Sequence, residues 1–197
     1  VKLNKCYKEM DISNIDDNIV RCPDSEYAEK MIYEIEKIKK EGDTIGGEIT
    51  VIASGVPVGW GEPIFDKLHA DIGKAMLSIN AVHGFKYGFG GVDISKSKGS
   101  EVNDIIIDDE GTTRTNYSGG IQGGISNGND IYAEVSFKPV ATIMHKQNSI
   151  DTVGNKVEIQ GRGRHDSCVV PRAVPIIESM MALTLVDHYL ISKTNNI

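Results

Sequence analysis

Apolar residues recur at helical spacing in three segments of this chain. The first segment ends near Glu41, because lysines fill its last turn and Gly42 follows as a stop. The second has Pro63 in its first turn and repeats apolar residues as far as Ile79. The third covers residues 174–190 and carries a long apolar stripe. The pattern therefore predicts three amphipathic helices.

Shorter segments between the helices predict strands, because apolar residues cluster or alternate in them. These strands are predicted at residues 47–54, 80–93, 131–138 and 156–160. Residues 95–119 are polar and weakly patterned, and we interpret them as a long excursion. Several strands follow one another without crossover helices, which favours an α+β fold with antiparallel sheet over a doubly wound parallel sheet. Without a linker or a repeat, residues 1–197 are predicted to form a single domain.

The composition is typical of a globular protein, with 40% hydrophobic and 25% charged residues. A formal charge of −7 argues against a nucleic-acid-binding role. The excess of acidic residues lies in residues 1–112, whereas residues 113–197 are nearly neutral and are the better place for an anion site. Ordinary fluctuation would produce the same asymmetry.

We recognise no apolar run long enough to span a bilayer and no signal peptide, so we expect no membrane association. The three cysteines are sparse and have no metal-ligand spacing. They predict a reducing compartment, that is, a cytoplasmic protein, and no metal site.

Residues 118–128, here called the glycine block, contain five glycines among eleven residues. Such a segment suits a backbone that approaches a ligand closely or turns with positive φ, and its N–H groups can hold an anion. It lacks both the Gly-Lys-Ser/Thr ending of a P-loop and the spacing of a dinucleotide fold. A tight glycine hairpin without ligand is the alternative interpretation.

A second segment, residues 161–167, combines arginine, histidine and aspartate directly before a predicted helix. Arginine suits carboxylate and phosphate, and a helix N-terminus favours anions. Asp166 could act as a base or orient a cofactor nitrogen; a solvated charged turn is the alternative. We interpret residues 42–47 as a structural turn between a helix and a strand, and residues 138–142 as a strand exit with a lysine.

Taken in order, these segments resemble the chorismate synthase family. The segments that carry the resemblance are residues 42–47 (Gly-Asp-Thr-Ile-Gly-Gly), 53–57 (Ala-Ser-Gly-Val-Pro), 61–66 (Gly-Glu-Pro-Ile-Phe-Asp), 78–81 (Ser-Ile-Asn-Ala), 118–128, 163–166 (Gly-Arg-His-Asp) and 171–175 (Pro-Arg-Ala-Val-Pro). The resemblance implies a β-α-β sandwich with helices between antiparallel sheets, of which this chain is a C-terminal portion. It also implies a cytoplasmic homotetramer.

The activity implied by the resemblance is a trans-1,4 elimination of phosphate from 5-enolpyruvylshikimate-3-phosphate, which gives chorismate and requires reduced FMN. Asp166 matches an aspartate proposed to assist removal of the substrate proton. The matching FMN-binding positions are Asn80, Ala81, Gly123, Lys138, Pro139, Val140, Ala141, Thr142 and Arg164.

Two substitutions depart from the family pattern, since Ser167 replaces a proline and Thr44 replaces a serine. A larger departure is that the Gly-Glu-Ser-His-Gly, Arg-Pro-Gly-His-Ala-Asp and Arg-Ser-Ser-Ala-Arg motifs are absent, and with them two catalytic histidines and several arginines. We therefore expect this chain alone to be inactive. The alternatives are an incomplete fragment that only binds FMN or assembles, and an unrelated nucleotide- or anion-binding module.

Overall fold

A computed structural model of the chain describes residues 1, 9–88, 93–109, 111–163 and 165–195. A 3-10 helix, Ile12–Asp17, precedes the first α-helix. The α-helices are α1 (Ser25–Glu41), α2 (Leu68–Leu77), α3 (Gly99–Val102) and α4 (Val170–Asn195). The strands are β1 (Gly47–Ala53), β2 (Val82–Tyr87), β3 (Ile121–Gln122), β4 (Ile125–Ser126), β5 (Ile131–Phe137), β6 (Lys146–Ile150) and β7 (Lys156–Gln160).

The chain divides into two compact units. The first unit comprises Val1–Gly47 and Phe137–Val174, and the second comprises Glu48–Ser136 and Pro175–Ile197. The assignment of residues 1–197 to a single domain stays a prediction.

In the first unit, α1 has the capped ends that its sequence predicts. The Asp24 side chain accepts a hydrogen bond from the Tyr27 N–H, and Gly42 ends the helix with φ 77°. A small core of Val20, Cys22 and Ala28 packs against the apolar face of α1. Strands β6 and β7 pair antiparallel. The β6 strand was not predicted, because its sequence Lys-Gln-Asn-Ser-Ile has no apolar alternation.

In the second unit, a three-stranded sheet has the order β1-β5-β2. The central strand β5 is almost entirely buried, which agrees with its strong apolar alternation. Leu68, Ile72 and Met76 of α2 are buried, as are Ile177 and Met181 of α4. Helices and antiparallel strand pairs in one chain confirm the predicted α+β class.

Helix α2 begins at Leu68, so the prediction that Pro63 lies in its first turn was wrong. Residues 62–66 form a tight turn instead, in which the Glu62 N–H donates to the Asp66 carbonyl at 3.2 Å. Asp66 has a positive φ of 56°, which is incompatible with continuing a right-handed helix. The apolar periodicity therefore predicts the start of helix α2 too early in the chain.

Other element bounds also differ from the predictions. Strand β2 covers Val82–Tyr87 and Gly88 turns with φ 71°, whereas residues 89–92 of the predicted strand lie outside the described residues. Helix α4 covers Val170–Asn195 instead of residues 174–190. Pro175 lies inside α4, so this proline does not mark the helix start, although it removes one backbone donor.

The expectation that no apolar segment reaches bilayer-spanning length was wrong. By length and composition, helix α4 is long and apolar enough over Val170–Thr194, because an 18-residue window within it reaches a mean hydropathy of 1.4. A core helix meets the same criteria, and Ile177, Met181 and His188 lie buried on one face of α4. The helix therefore gives only weak evidence for a membrane.

Candidate functional site

The glycine block contains the hairpin that was one of its two interpretations. Strands β3 and β4 pair antiparallel, with Gln122 opposite Ile125, so Gly123 and Gly124 form a two-residue connection. Both glycines have positive φ, 63° and 98°. A two-residue hairpin loop prefers glycine for this reason. Here the structure explains the glycine pair by a turn, without excluding a ligand.

The carboxylate of Asp104 anchors the start of the glycine block. Its Oδ1 accepts from the Tyr117 N–H at 2.8 Å and from the Thr115 hydroxyl at 2.7 Å, and its Oδ2 accepts from the Ser118 N–H at 2.8 Å. Burial raises the pKa of Asp104, but these hydrogen bonds outweigh it, and the net shift of the pKa is downward. The excursion of residues 95–119 thus contributes a structural anchor that its sequence did not reveal.

Asn116 extends this anchor into the block. Its Oδ1 accepts from the Gly120 N–H at 2.8 Å, and its Nδ2 donates to the Asp130 carbonyl at 2.8 Å. The Asn116 carbonyl accepts from the Tyr132 hydroxyl at 2.9 Å. Asn116 therefore links the glycine block to the start of strand β5.

The predicted FMN positions Asn80 and Ala81 lie in the turn between α2 and β2. Asn80 is exposed, and Ala81 has φ 70°, which is unusual for a residue with a side chain. Such backbone strain is concentrated at functional sites. Among the described residues, neither position forms a hydrogen bond with the glycine block.

Residues 138–142, here called the Lys138 loop, follow strand β5 in the first unit. Lys138, Pro139 and Ala141 are exposed, and Val140 and Thr142 are partly buried. Within the described ranges the Lys138 ammonium has no ion-pair partner. This loop can therefore offer a cation to an anionic ligand.

The predicted catalytic residue, Asp166, is half-buried in the first unit. Its Oδ2 lies 2.8 Å from the Arg172 Nη1, in an ion pair with the first turns of α4. His165 is exposed, with its Nε2 2.9 Å from the Arg162 carbonyl. Arg164, which we predict to bind FMN, lies outside the described residues.

The structure gives residues 42–47 a role that sequence reasoning missed. The Thr44 hydroxyl donates to the carbonyl of Val140 in the Lys138 loop at 2.6 Å. The Ile45 N–H donates to the carbonyl of Ser167, the residue after Asp166, at 2.8 Å. The structural turn predicted here therefore connects two predicted site segments, and the only signal for it in the sequence was the family resemblance.

The predicted site residues are distributed over both units. Asn80, Ala81 and Gly123 belong to the second unit, whereas the Lys138 loop and Asp166 belong to the first. Cys22 and Cys168 are free thiols. In the part of the chain that the structure describes, no cluster of His, Cys, Asp and Glu could hold a metal ion.

Comparison with known proteins adds the family. The sequence model of the family "Chorismate synthase" matches residues 2–190. Two proteins named chorismate synthase, from Christiangramia forsetii and Flavobacterium psychrophilum, are 59% and 56% identical over 197 and 196 residues. Each match covers 100% of this chain and 55% of the relative. The chain therefore spans about half the length of these relatives.

A crystal structure of a chorismate synthase resembles the chain with a TM-score of 0.74 and 30% sequence identity. The likeness covers 91% of this chain and 47% of that one. The likeness therefore shows an α+β fold of the kind seen in that structure. The chain belongs to the chorismate synthase family.

Proposed function

We propose that the protein represented by this sequence converts 5-enolpyruvylshikimate-3-phosphate into chorismate by trans-1,4 elimination of phosphate, with reduced FMN as cofactor. The observation that carries the proposal is the match of the whole chain to proteins named chorismate synthase at more than half identity. The geometry supports it, because the predicted site segments carry cationic groups and a glycine turn.

The residues of these segments suit the chemistry of FMN. A Cβ built on Gly123 would meet no other described atom within 4 Å, so a ligand can approach the backbone there. Lys138 is exposed, as is Arg162, and both can neutralise the FMN phosphate. Each of these groups suits an anionic cofactor, and the two exposed cations, Lys138 and Arg162, both belong to the first unit.

The substrate carries two carboxylates and a phosphate, so the site must stabilise negative charge that grows on the leaving phosphate. Arg162 and Arg164 are the proposed donors in the segment of residues 161–167. Reduced FMN, when bound, supplies transient electron density as the C–O bond breaks. Asp166 assists proton removal from the substrate, and its Oδ2 lies 2.8 Å from the Arg172 Nη1.

The test is chorismate formation from 5-enolpyruvylshikimate-3-phosphate by the protein under anaerobic conditions with reduced FMN. We expect turnover from a polypeptide of the relatives' full length, and none from the 197-residue chain alone. Turnover by the isolated chain would contradict the expectation that it is inactive by itself. Tight ATP binding without any flavin response would instead favour the unrelated nucleotide-binding module.

The proposed role of Asp166 has its own test. In the complete enzyme, Asp166→Asn should lower kcat far more than FMN affinity, because the amide cannot accept a proton. Equal losses in kcat and FMN affinity would assign Asp166 an orienting role.

Homotetramer assembly and a cytoplasmic location belong to the same proposal. The assembly comes from the family resemblance, and the location comes from the resemblance and from the sparse cysteines. Mass measurement of the complete protein in solution tests the assembly, and a mass other than four chains would contradict it. Cell fractionation tests the location, and recovery in the membrane fraction would contradict it and direct attention to helix α4.

A further inference from the structure

We infer that Thr44 is a positioning residue of the candidate site, and that its hydroxyl sets the place of the Lys138 loop relative to Asp166. The inference rests on the proposed function, because it takes the Lys138 loop as part of the FMN site. It concerns only the first unit, where all the contacts lie.

The first contact is a side-chain hydrogen bond between distant parts of the sequence. The Thr44 hydroxyl donates to the Val140 carbonyl at 2.6 Å, across 96 positions of the chain. Val140 is the middle residue of the Lys138 loop, so this bond holds the loop at its centre. Thr44 is only partly buried, and its hydroxyl has the geometry of a strong neutral hydrogen bond.

The second contact runs from the next residue to the other site segment. The Ile45 N–H donates to the Ser167 carbonyl at 2.8 Å. Since Ser167 follows Asp166 directly, the N–H of residue 45 restrains the backbone next to the residue that we assign to proton removal. Adjacent residues thus hold the two segments, and a shift of one is transmitted to the other through a single peptide.

Close packing at Gly46 fixes this peptide against the loop. A Cβ built on Gly46 would overlap the Phe137 carbonyl oxygen and would lie 3.1 Å from the Pro139 Cδ. Only glycine allows that approach. Residues 44–46 therefore have little freedom to move, which is the condition for a side chain that positions others.

The consequence for the site follows from the sensitivity of catalysis and binding to geometry. A displacement of about 1 Å can cost about 100-fold in rate. A bond between a hydroxyl and a carbonyl contributes only about 1 kcal/mol to stability. Loss of the Thr44 hydroxyl should therefore affect the cofactor site more than the stability of the fold.

Two substitutions of Thr44 distinguish the effect of its hydroxyl from the effect of the rest of its side chain. Thr44→Val keeps the shape and removes the hydroxyl, whereas Thr44→Ser keeps the hydroxyl. Thr184→Val is the matched control, because Thr184 is also partly buried and its hydroxyl also donates to a backbone carbonyl, that of Met180 at 2.8 Å, outside the predicted site.

The measurements are FMN affinity from flavin fluorescence, thermal unfolding, and hydrogen exchange of peptides that cover residues 138–144, all on the complete protein. We expect Thr44→Val to weaken FMN binding about fivefold, the factor that corresponds to the loss of one neutral hydrogen bond, and to speed exchange in these peptides. Thr44→Ser should bind FMN like the unsubstituted protein. Thr184→Val also removes a hydroxyl bonded to a carbonyl, but one within its own helix, so it should keep FMN affinity and change thermal stability little.

Several outcomes would overturn the inference. These are unchanged FMN affinity in Thr44→Val, equal weakening in Thr44→Ser and Thr44→Val, or equal weakening in the Thr184→Val control. Failure of the unsubstituted protein to bind FMN would overturn the proposed function, and the exchange measurement would still show whether Thr44 holds the loop.

Discussion

The glycine block has glycines at its start, Gly119 and Gly120 (here called the root), and in its hairpin turn, Gly123 (here called the tip). Glycine is needed at the root and at the tip for different reasons. At the root, a Cβ on Gly119 would lie 2.5 Å from the Gly88 Cα, and a Cβ on Gly120 would lie 2.7 Å from the Asp130 carbonyl oxygen. At the tip, a Cβ on Gly123 would meet no described atom within 4 Å. Gly119, Gly120 and Gly123 all have positive φ.

The difference shows that a high glycine content is not one signal. Packing and hydrogen bonds account for the root, which Asp104 and Asn116 hold in place. In the two-residue turn, Gly123 leaves room beside its backbone, whereas a Cβ on Gly124 would lie 2.7 Å from the Glu62 carbonyl oxygen. If the block binds FMN, as we propose, the ligand contact belongs at Gly123, and the root is a rigid support for it.

The largest expected effect is at the root, in Gly120→Ala. The new Cβ would overlap the carbonyl oxygens of Asn129 and Asp130 and would hold an alanine at φ 76°. Left-handed strain together with overpacking should cost about 3 kcal/mol in the free energy of unfolding. Chemical denaturation measures it, and a loss as small as that of Gly123→Ala would refute the distinction between root and tip.

Asp104→Asn should have the next largest effect. Both oxygens of Asp104 accept a backbone N–H, so either orientation of an asparagine places its NH₂ group against a donor. One partly buried N–H without an acceptor costs about 2 kcal/mol. Asp93→Asn is the control, because Asp93 also accepts from a neighbouring N–H, that of Ser95, but is exposed. Equal losses of stability in both variants would show that the partly buried Asp104 carboxylate stabilises the fold no more than the exposed Asp93 carboxylate does.

Gly123→Ala tests the tip. An alanine at φ 63° costs about 1 kcal/mol of stability, although it has room for its side chain. Gly154→Ala is a matched control, because Gly154 lies in the connection between β6 and β7, has φ 90° and is equally open. We expect similar stability losses, but weaker FMN binding only in Gly123→Ala. Equal FMN affinities in the two variants would remove Gly123 from the proposed site.

The smallest expected effect is on the pH dependence of stability, to which the Asp104 carboxylate at the root contributes. Because the folded pKa of Asp104 is below its ordinary value of 3.8, its carboxylate stabilises the fold above that value. The stabilisation is lost as the pH falls through the lowered folded pKa. Urea denaturation between neutral pH and pH about 3 should therefore show a shallower acid loss in Asp104→Asn than in the unsubstituted protein. Parallel profiles would contradict the assignment.

Local patterns predicted a large part of the fold. Helix α1 ends at Glu41 as expected, because the lysines of its last turn and the stop glycine Gly42 act within a few residues of one another. Strand β5 and the Gly123–Gly124 turn follow from alternation and from the demands of a two-residue hairpin. Helix α2 was predicted too long, because residues 62–66 form a turn with a positive φ at Asp66, which the apolar periodicity did not reveal.

The sequence by itself determined the family, the α+β class and the identity of the candidate cofactor segments, since these depend on residue types and short spacings. Only the tertiary structure decided that Gly120 is enclosed while Gly123 is open, and that Thr44 reaches Val140. The physical reason is distance along the chain. Asp104 lies 14 positions from Ser118 and Thr44 lies 96 from Val140, and no periodic pattern encodes contacts that form only when the chain has folded.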